Sequence, residues 1–223
     1  MTLIKAAAVV TPTAVLKDAY VVVDGQTIVE VGAGSAPGKA DFEFAGTLLP
    51  GFVDIHCHGG GGSSFDSADG IAKAADFHLK NGTTSLVASL VSAAIPDQVA
   101  QLKALVPFVA NGVLAGAHLE GPFLAHAMCG AQNPAVLKSP TGADITALLD
   151  AAPGTLKMVT LAPELDGVLD AIAQLTAAGV VAAIGHSDAT AEQARPAVDA
   201  GATVVTHLFN AMRRSHHRES TLS

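Results

Sequence analysis

The hydrophobic pattern divides the chain into an initial group of short strands and a longer region of regularly spaced apolar runs. Within residues 1–48, short runs rich in β-branched and aromatic residues predict strands, and Asp24-Gly25 between two of these runs favours a tight hairpin. This pattern predicts a small antiparallel β subdomain and not the start of an alternating strand–helix array.

From residue 49 onward, apolar runs alternate with stretches of helical periodicity. Strands are predicted at 51–55, 83–88, 113–119, 156–161, 180–185 and 202–207. Helices are predicted between them, at 69–80, 96–110, 142–151, 164–178 and 189–200. A spacing of about 30 residues between successive strands is typical of right-handed parallel βα units. We therefore expect six such units.

These units favour an α/β fold, an incomplete (β/α)8 TIM-like barrel, over an open doubly wound sheet. A closed barrel needs eight strands and about 250 residues, whereas the pattern supplies six strands. The barrel is favoured because candidate ligands follow four of the strands, and a barrel brings such residues together better than a flat sheet. We expect a β subdomain at 1–48 and a barrel domain at 49–223, truncated after its sixth strand.

Histidine and glutamate residues follow the predicted strands at four places. His56 and His58 follow the first strand, Glu120 closes the third, and His186 and His207 follow the fifth and sixth. The carboxyl ends of parallel barrel strands meet at one face, so these side chains are expected to converge. Imidazole nitrogens with one carboxylate are the ligands of hydrolytic zinc sites. The pattern predicts one or two divalent ions, zinc first, with Fe²⁺ or Mn²⁺ also compatible.

Each of these residues also has a simpler interpretation when taken alone. A single histidine on an apolar segment is more often a packed core residue than a ligand, and Glu120 resembles an acid that begins a helix. His118 shares the strand face of Glu120, and we expect it to support the site and not to bind metal. The metal interpretation depends on the repeated placement after strands.

Composition narrows the class of protein. Half of the 223 residues are hydrophobic and 14% are charged, which predicts a packed core. The net charge of -8 argues against non-specific nucleic-acid binding. Two cysteines are too few for a disulfide framework, and no apolar stretch reaches the roughly 20 residues of a membrane span. We expect a cytoplasmic protein without membrane or nucleic-acid partners.

The motifs resemble those of one family, the N-acetylglucosamine-6-phosphate deacetylases of the amidohydrolase superfamily. The matching stretches are residues 49–62, 118–124, 130–134, 185–190 and 206–212, in the family's order. The resemblance implies metal-dependent hydrolysis of the acetamide of N-acetylglucosamine 6-phosphate to glucosamine 6-phosphate and acetate, in amino-sugar catabolism. It also implies a small-molecule substrate and a homodimer when the protein is full length.

The resemblance assigns roles to individual residues. Glu120, His186 and His207 are implied to hold the principal metal ion, and His56 and His58 a second one. The resemblance implies that the sugar phosphate contacts four further residues: the Asn210 side chain, the backbones of Ala131 and Ala211, and Arg218, which matches the family's phosphate-binding arginine.

The chain departs from the family pattern in two places. Gln132 stands where many members have histidine, which affects the expected substrate contacts. After residues 217–219 the family pattern stops, so we expect an N-terminal portion whose catalytic aspartate lies beyond residue 223. No catalytic residue is therefore assigned, and Asp188 is the nearest surrogate. The alternatives are an inactive fragment that binds only metal or sugar phosphate, and another amidohydrolase.

Overall fold

The computed structural model describes residues 1–214, and the chain divides into two compact units, Met1–Phe52 and the residues from Val53 onward. The predicted domain boundary after residue 48 remains a prediction. Arg218 and the other residues from 215 onward lie outside the described part. No helix within residues 1–214 is both long and apolar enough to cross a membrane.

The first unit is a four-stranded sheet with the strand order β3-β2-β1-β4. Its strands are β1 (Thr2–Val10), β2 (Val15–Asp24), β3 (Thr27–Ala33) and β4 (Phe42–Leu48). The hairpin predicted at Asp24-Gly25 joins β2 to β3, and Gly25 has the positive φ of 58° that such a turn requires. The antiparallel prediction is confirmed for β1 to β3, whereas β4 pairs parallel to β1.

The second unit contains a six-stranded sheet whose order follows the chain, from β5 at one edge to β10 at the other. Its strands are β5 (Phe52–Cys57), β6 (Thr83–Leu90), β7 (Gly116–Glu120), β8 (Leu156–Leu161), β9 (Val181–Ile184) and β10 (Val204–Val205). The intervening helices are α1 (Ala68–Lys80), α2 (Ile95–Ala110), α3 (Gly142–Ala151), α4 (Val168–Ala177) and α5 (Ala191–Asp199). The sheet is a parallel half-barrel, which confirms the predicted incomplete barrel.

The two largest differences from the predicted element boundaries arise because neighbouring residues form turns. The amides of Val113 and Leu114 both donate to the Phe108 carbonyl, so this apolar segment closes α2 and β7 begins later, at Gly116. Similarly, the Val168 amide donates to the Leu165 carbonyl, and α4 begins at residue 168 and not at 164.

The core of the second unit lies between the sheet and its helices. Every residue of β7 is buried, whereas β5 at the sheet edge exposes Phe52, Val53 and Ile55. Helix and loop side chains that are almost completely buried against the sheet are Leu102, Leu105, Phe123, Ile145, Leu148, Ile172 and Leu175. This packing fixes the carboxyl ends of the strands, where the candidate ligands lie.

Candidate metal centre

The candidate ligands all lie at the carboxyl end of the half-barrel. His56 is the penultimate residue of β5, and His58 follows that strand. Glu120 is the final residue of β7, and His186 and His207 each come two residues after the end of a strand, β9 and β10. The sheet order therefore brings Glu120 and His207, which are 87 positions apart, to one place.

Glu120, His186 and His207 form a compact triangle of ligand atoms. The Glu120 Oε1 atom lies 3.2 Å from His186 Nε2 and 3.1 Å from His207 Nε2, and the two nitrogens are 3.0 Å apart. A tetrahedral ion with bonds of about 2.0 Å places its ligands about 3.3 Å from one another. The triangle therefore has the size that one divalent cation needs.

The hydrogen bonds of the two imidazoles direct their Nε2 atoms into this triangle. His186 Nδ1 lies 2.8 Å from the Met128 carbonyl, and His207 Nδ1 lies 3.0 Å from the Asn210 carbonyl. A carbonyl oxygen only accepts, so each Nδ1 carries a hydrogen, and each ring, when neutral, presents a lone pair at Nε2. Two such lone pairs and a carboxylate oxygen are electron-pair donors that together can bind a cation.

A second group of ligand atoms adjoins the first. His56 Nε2 and His58 Nε2 are 3.1 Å apart, and His58 Nε2 lies 2.9 Å from Glu120 Oε2. His56 Nε2 is 3.5 Å from Glu120 Oε1, and His58 Nδ1 is held at 3.1 Å by the Ser89 carbonyl. The Glu120 carboxylate thus lies between two groups of imidazoles, each able to contribute to a metal site.

The electrostatics favour positive charge at this position. Burial opposes ionisation of Glu120, but hydrogen bonds from His186, His56 and His58 outweigh it and hold the pKa of Glu120 below its usual range. The Glu120 hydrogen bond raises the pKa of His58. Burial acts to lower the pKa of His186, yet Glu120 and the Met128 carbonyl raise it overall. The carboxylate is ionised, and it stabilises cationic partners around it.

A buried polar chain runs beneath the ligands. His118 is fully buried, with Nδ1 2.9 Å from Ser89 Oγ and Nε2 2.8 Å from Thr160 Oγ1, which in turn lies 2.7 Å from Thr206 Oγ1. Burial and the neighbouring His56 lower the pKa of His118 to about 3. Both ring nitrogens are engaged by hydroxyls, so His118 is placed to support the site and not to face a metal.

Two of the candidate ligands have a strained backbone. His186 has φ 49° and His207 has φ 34°, in the left-handed region that non-glycine residues rarely adopt. Such residues cost about 1–3 kcal/mol each and persist where the surroundings hold them. Around His186, the Glu164 carboxylate accepts from the Ser187 hydroxyl at 2.7 Å and from the Asp188 amide at 2.6 Å.

The same turn is tied to the segment that follows His207. The Ser187 amide donates to the Ala211 carbonyl, and the Arg213 amide donates to the Ser187 carbonyl, both at 3.1 Å. Glu164 is not among the residues predicted for the site, although a carboxylate three residues after β8 was an available signal. The Asp188 carboxylate lies 3.4 Å from Arg213 Nε and so faces this segment.

The predicted sugar contacts lie on loops at the same end of the half-barrel. Ala131 follows β7 and Asn210 follows β10; both are exposed, and Ala211 is partly buried. The structure therefore leaves Ala131 and the Asn210 side chain accessible, while their contact with a sugar phosphate stays a prediction. Arg218 lies outside the described residues.

Comparison with known proteins identifies the family. The sequence profile of the amidohydrolase family matches residues 47–222. The N-acetylglucosamine-6-phosphate deacetylase of Rattus norvegicus is 39% identical over 184 residues, covering 77% of this chain and 44% of the relative. The crystal structure of the N-acetyl-D-glucosamine-6-phosphate deacetylase from Mycobacterium smegmatis superposes with a TM-score of 0.96 at 48% identity, covering 99% of this chain and 59% of that chain.

A further structure of the Mycobacterium smegmatis enzyme, a mutant in complex with N-acetyl-D-glucosamine-6-phosphate, gives a TM-score of 0.95 at 48% identity, covering 99% of this chain and 58% of that chain. The chain spans about half the length of the curated relatives that it matches. The match to the family profile extends over most of the sequence, from the end of β4 through all six strands of the half-barrel. The chain therefore belongs to the amidohydrolase family.

Proposed function

We propose that this chain carries the metal-binding part of an enzyme that hydrolyses the acetamide of N-acetylglucosamine 6-phosphate to glucosamine 6-phosphate and acetate. The observation that carries the proposal is the triangle of Glu120 Oε1, His186 Nε2 and His207 Nε2, with edges of 3.0–3.2 Å. The names of the relatives supply the substrate, an amino-sugar phosphate. A cytoplasmic location and a homodimer belong to the same proposal.

In this proposal the residues divide into metal ligands and sugar contacts. Glu120, His186 and His207 would hold the principal ion, and His56 and His58 would hold a second one. Nitrogen and carboxylate donors favour Zn²⁺ and also accept Fe²⁺ or Mn²⁺. When bound, such an ion supplies Lewis-acid chemistry, polarising a carbonyl and lowering the pKa of water.

The surrounding residues orient the ligands and the substrate. The Met128 and Asn210 carbonyls hold the rings of His186 and His207 so that Nε2 of each faces Glu120. In the proposal, the exposed loops that carry Ala131 and Asn210 receive the sugar, and Arg218 binds the phosphate bidentately. In the proposal, the acetamide of the bound sugar faces the ligand triangle.

The proton transfers of amide hydrolysis are assigned to none of the residues in 1–214. Asp188, the surrogate considered from sequence, directs its carboxylate toward Arg213 and its amide to Glu164, which suits a role in fixing the turn. The competing function is a chain that binds metal or sugar phosphate without turnover. Loss of a general acid–base group typically slows a reaction by about 10²–10⁴-fold. Slow turnover above background therefore supports the hydrolase, and the absence of turnover supports a chain that only binds.

Acetate release by the purified 223-residue chain tests the proposed function. With added zinc and N-acetylglucosamine 6-phosphate, we expect acetate above the background of zinc alone, because the ligand triangle is complete within the described residues. N-Acetylglucosamine without the phosphate is expected to react more slowly, and His207→Ala to abolish the release. If the chain bound zinc but released no more acetate than zinc alone, the binding-only function would replace this one.

A further inference from the structure

Gln132 is buried beside the candidate metal centre, although it lies in a loop. It follows β7 by 12 residues, between two short 3-10 turns, and its exposed fraction is 8%. The flanking residues Ala131 and Asn133 are exposed. A buried amide in an exposed loop needs partners for both of its polar atoms.

Both polar atoms of the Gln132 amide have partners, and these fix its orientation. The Gln132 Oε1 atom accepts a hydrogen bond from the Ser92 backbone amide at 2.8 Å, and Nε2 donates to Glu120 Oε2 at 2.9 Å. The Ser92 amide only donates and the Glu120 carboxylate only accepts, so the reversed amide would break both bonds. The amide nitrogen therefore faces the carboxylate.

This contact makes the two oxygens of Glu120 unequal. Oε1 lies 3.1–3.2 Å from the Nε2 atoms of His207 and His186. Oε2 receives the Gln132 donor and lies 2.9 Å from His58 Nε2. The Ser92 hydroxyl donates to the Glu120 backbone carbonyl at 3.0 Å. Ser92 therefore restrains the main chain of Glu120 directly and its side chain through Gln132.

We propose that Gln132 is a positioning residue that directs Glu120 Oε1 to the ion held by His186 and His207 and weakens Oε2 as a ligand for an ion held by His56 and His58. A donated hydrogen bond draws negative charge from Oε2, and it prevents the carboxylate from turning toward the second group. Gln132 thereby separates the affinities of the two ions. This inference rests on the metal-binding part of the proposed function.

Two variants separate positioning from a purely structural role. Gln132→Met keeps the side-chain length and removes both hydrogen bonds. Gln132→Glu keeps an acceptor for the Ser92 amide but replaces the donor with a second carboxylate beside Oε2. Gln101→Met is the matched control, because this partly buried glutamine lies outside the ligand groups.

The measurement is zinc titration of the purified 223-residue chain against a chromogenic chelator, which yields the stoichiometry and both dissociation constants. We expect the dissociation constant of the second ion, divided by that of the first, to fall at least about tenfold in both Gln132 variants. A change in metal affinity of this size is usual when a hydrogen-bond partner of a metal ligand is replaced. In Gln132→Met the first ion binds more weakly, and in Gln132→Glu the second binds more tightly. The Gln101→Met control keeps the wild-type ratio.

The outcomes distinguish this inference from the proposed function. A wild-type chain that binds one ion, with variants that gain a second, also supports positioning. The inference alone is overturned if both variants keep the wild-type stoichiometry and the wild-type ratio of dissociation constants. It is also overturned if both sites lose affinity equally while circular dichroism shows a folded chain. A wild-type chain that binds no zinc overturns both the inference and the proposed function.

Discussion

Replacing Glu120 with glutamine is expected to weaken zinc binding at both ligand groups by more than about 100-fold, beyond the loss seen when only a partner of a ligand is removed. Glu120 supplies the carboxylate to both candidate groups, and its two oxygens contact four imidazoles. The neutral amide removes the negative charge and turns one ligand oxygen into a donor. Competition titration and elemental analysis of the dialysed protein measure the change.

Glu192→Gln is the matched control for this substitution. Glu192 is an exposed carboxylate in the first turn of α5 and belongs to neither ligand group. It is expected to leave both zinc affinities within twofold of wild type. Zinc binding by Glu120→Gln at wild-type affinity would mean that the imidazoles alone hold the ions, which would contradict the proposed ligand set.

Phe123→Ala is expected to lower the free energy of unfolding by about 3–5 kcal/mol. Phe123 is fully buried in the core of the second unit, three residues after Glu120, and its carbonyl accepts from the Ala162 amide at 2.8 Å. Truncation leaves a cavity beneath the loop that follows β7. Urea unfolding followed by circular dichroism measures the loss.

The control for Phe123 is Phe77→Ala, on α1 of the same unit. Phe77 is 43% exposed, so the same truncation creates no closed cavity and should cost less than half as much. Equal losses for the two variants would show that the loop carrying Phe123 does not pack as the structure describes.

The elements of the second unit could be predicted because their signals are local. Apolar runs and stretches of helical periodicity depend on residues within a few positions, and so do the N-caps that the structure shows at Thr141 and Thr190. The start of β7 and the start of α4 could not be predicted, because each depends on a turn. In both places the apolar pattern alone predicts that the strand or helix begins earlier. The parallel placement of β4 against β1 depends on a pairing about 38 residues apart along the chain, for which the sequence has no local signal.

The convergence of the candidate ligands could be predicted for a topological reason, whereas the contacts that support them could not. Once the strands are parallel, residues at their carboxyl ends meet, which brings His56, Glu120 and His207 together without any knowledge of distances. The contacts of Gln132 with Ser92 and of Glu164 with Ser187 span 40 and 23 positions between loops. Loop conformation decides such contacts, and no periodic pattern encodes it.

Locating the metal is the most direct test of the central claim that Glu120, His186 and His207 share one divalent cation. We expect crystals of the chain with one equivalent of zinc to show a single anomalous-scattering peak at the zinc absorption edge. The peak should lie about 2.0–2.2 Å from a Glu120 oxygen and from Nε2 of His186 and of His207. A peak that contacts none of these three residues, or no peak at full zinc loading, would contradict the claim.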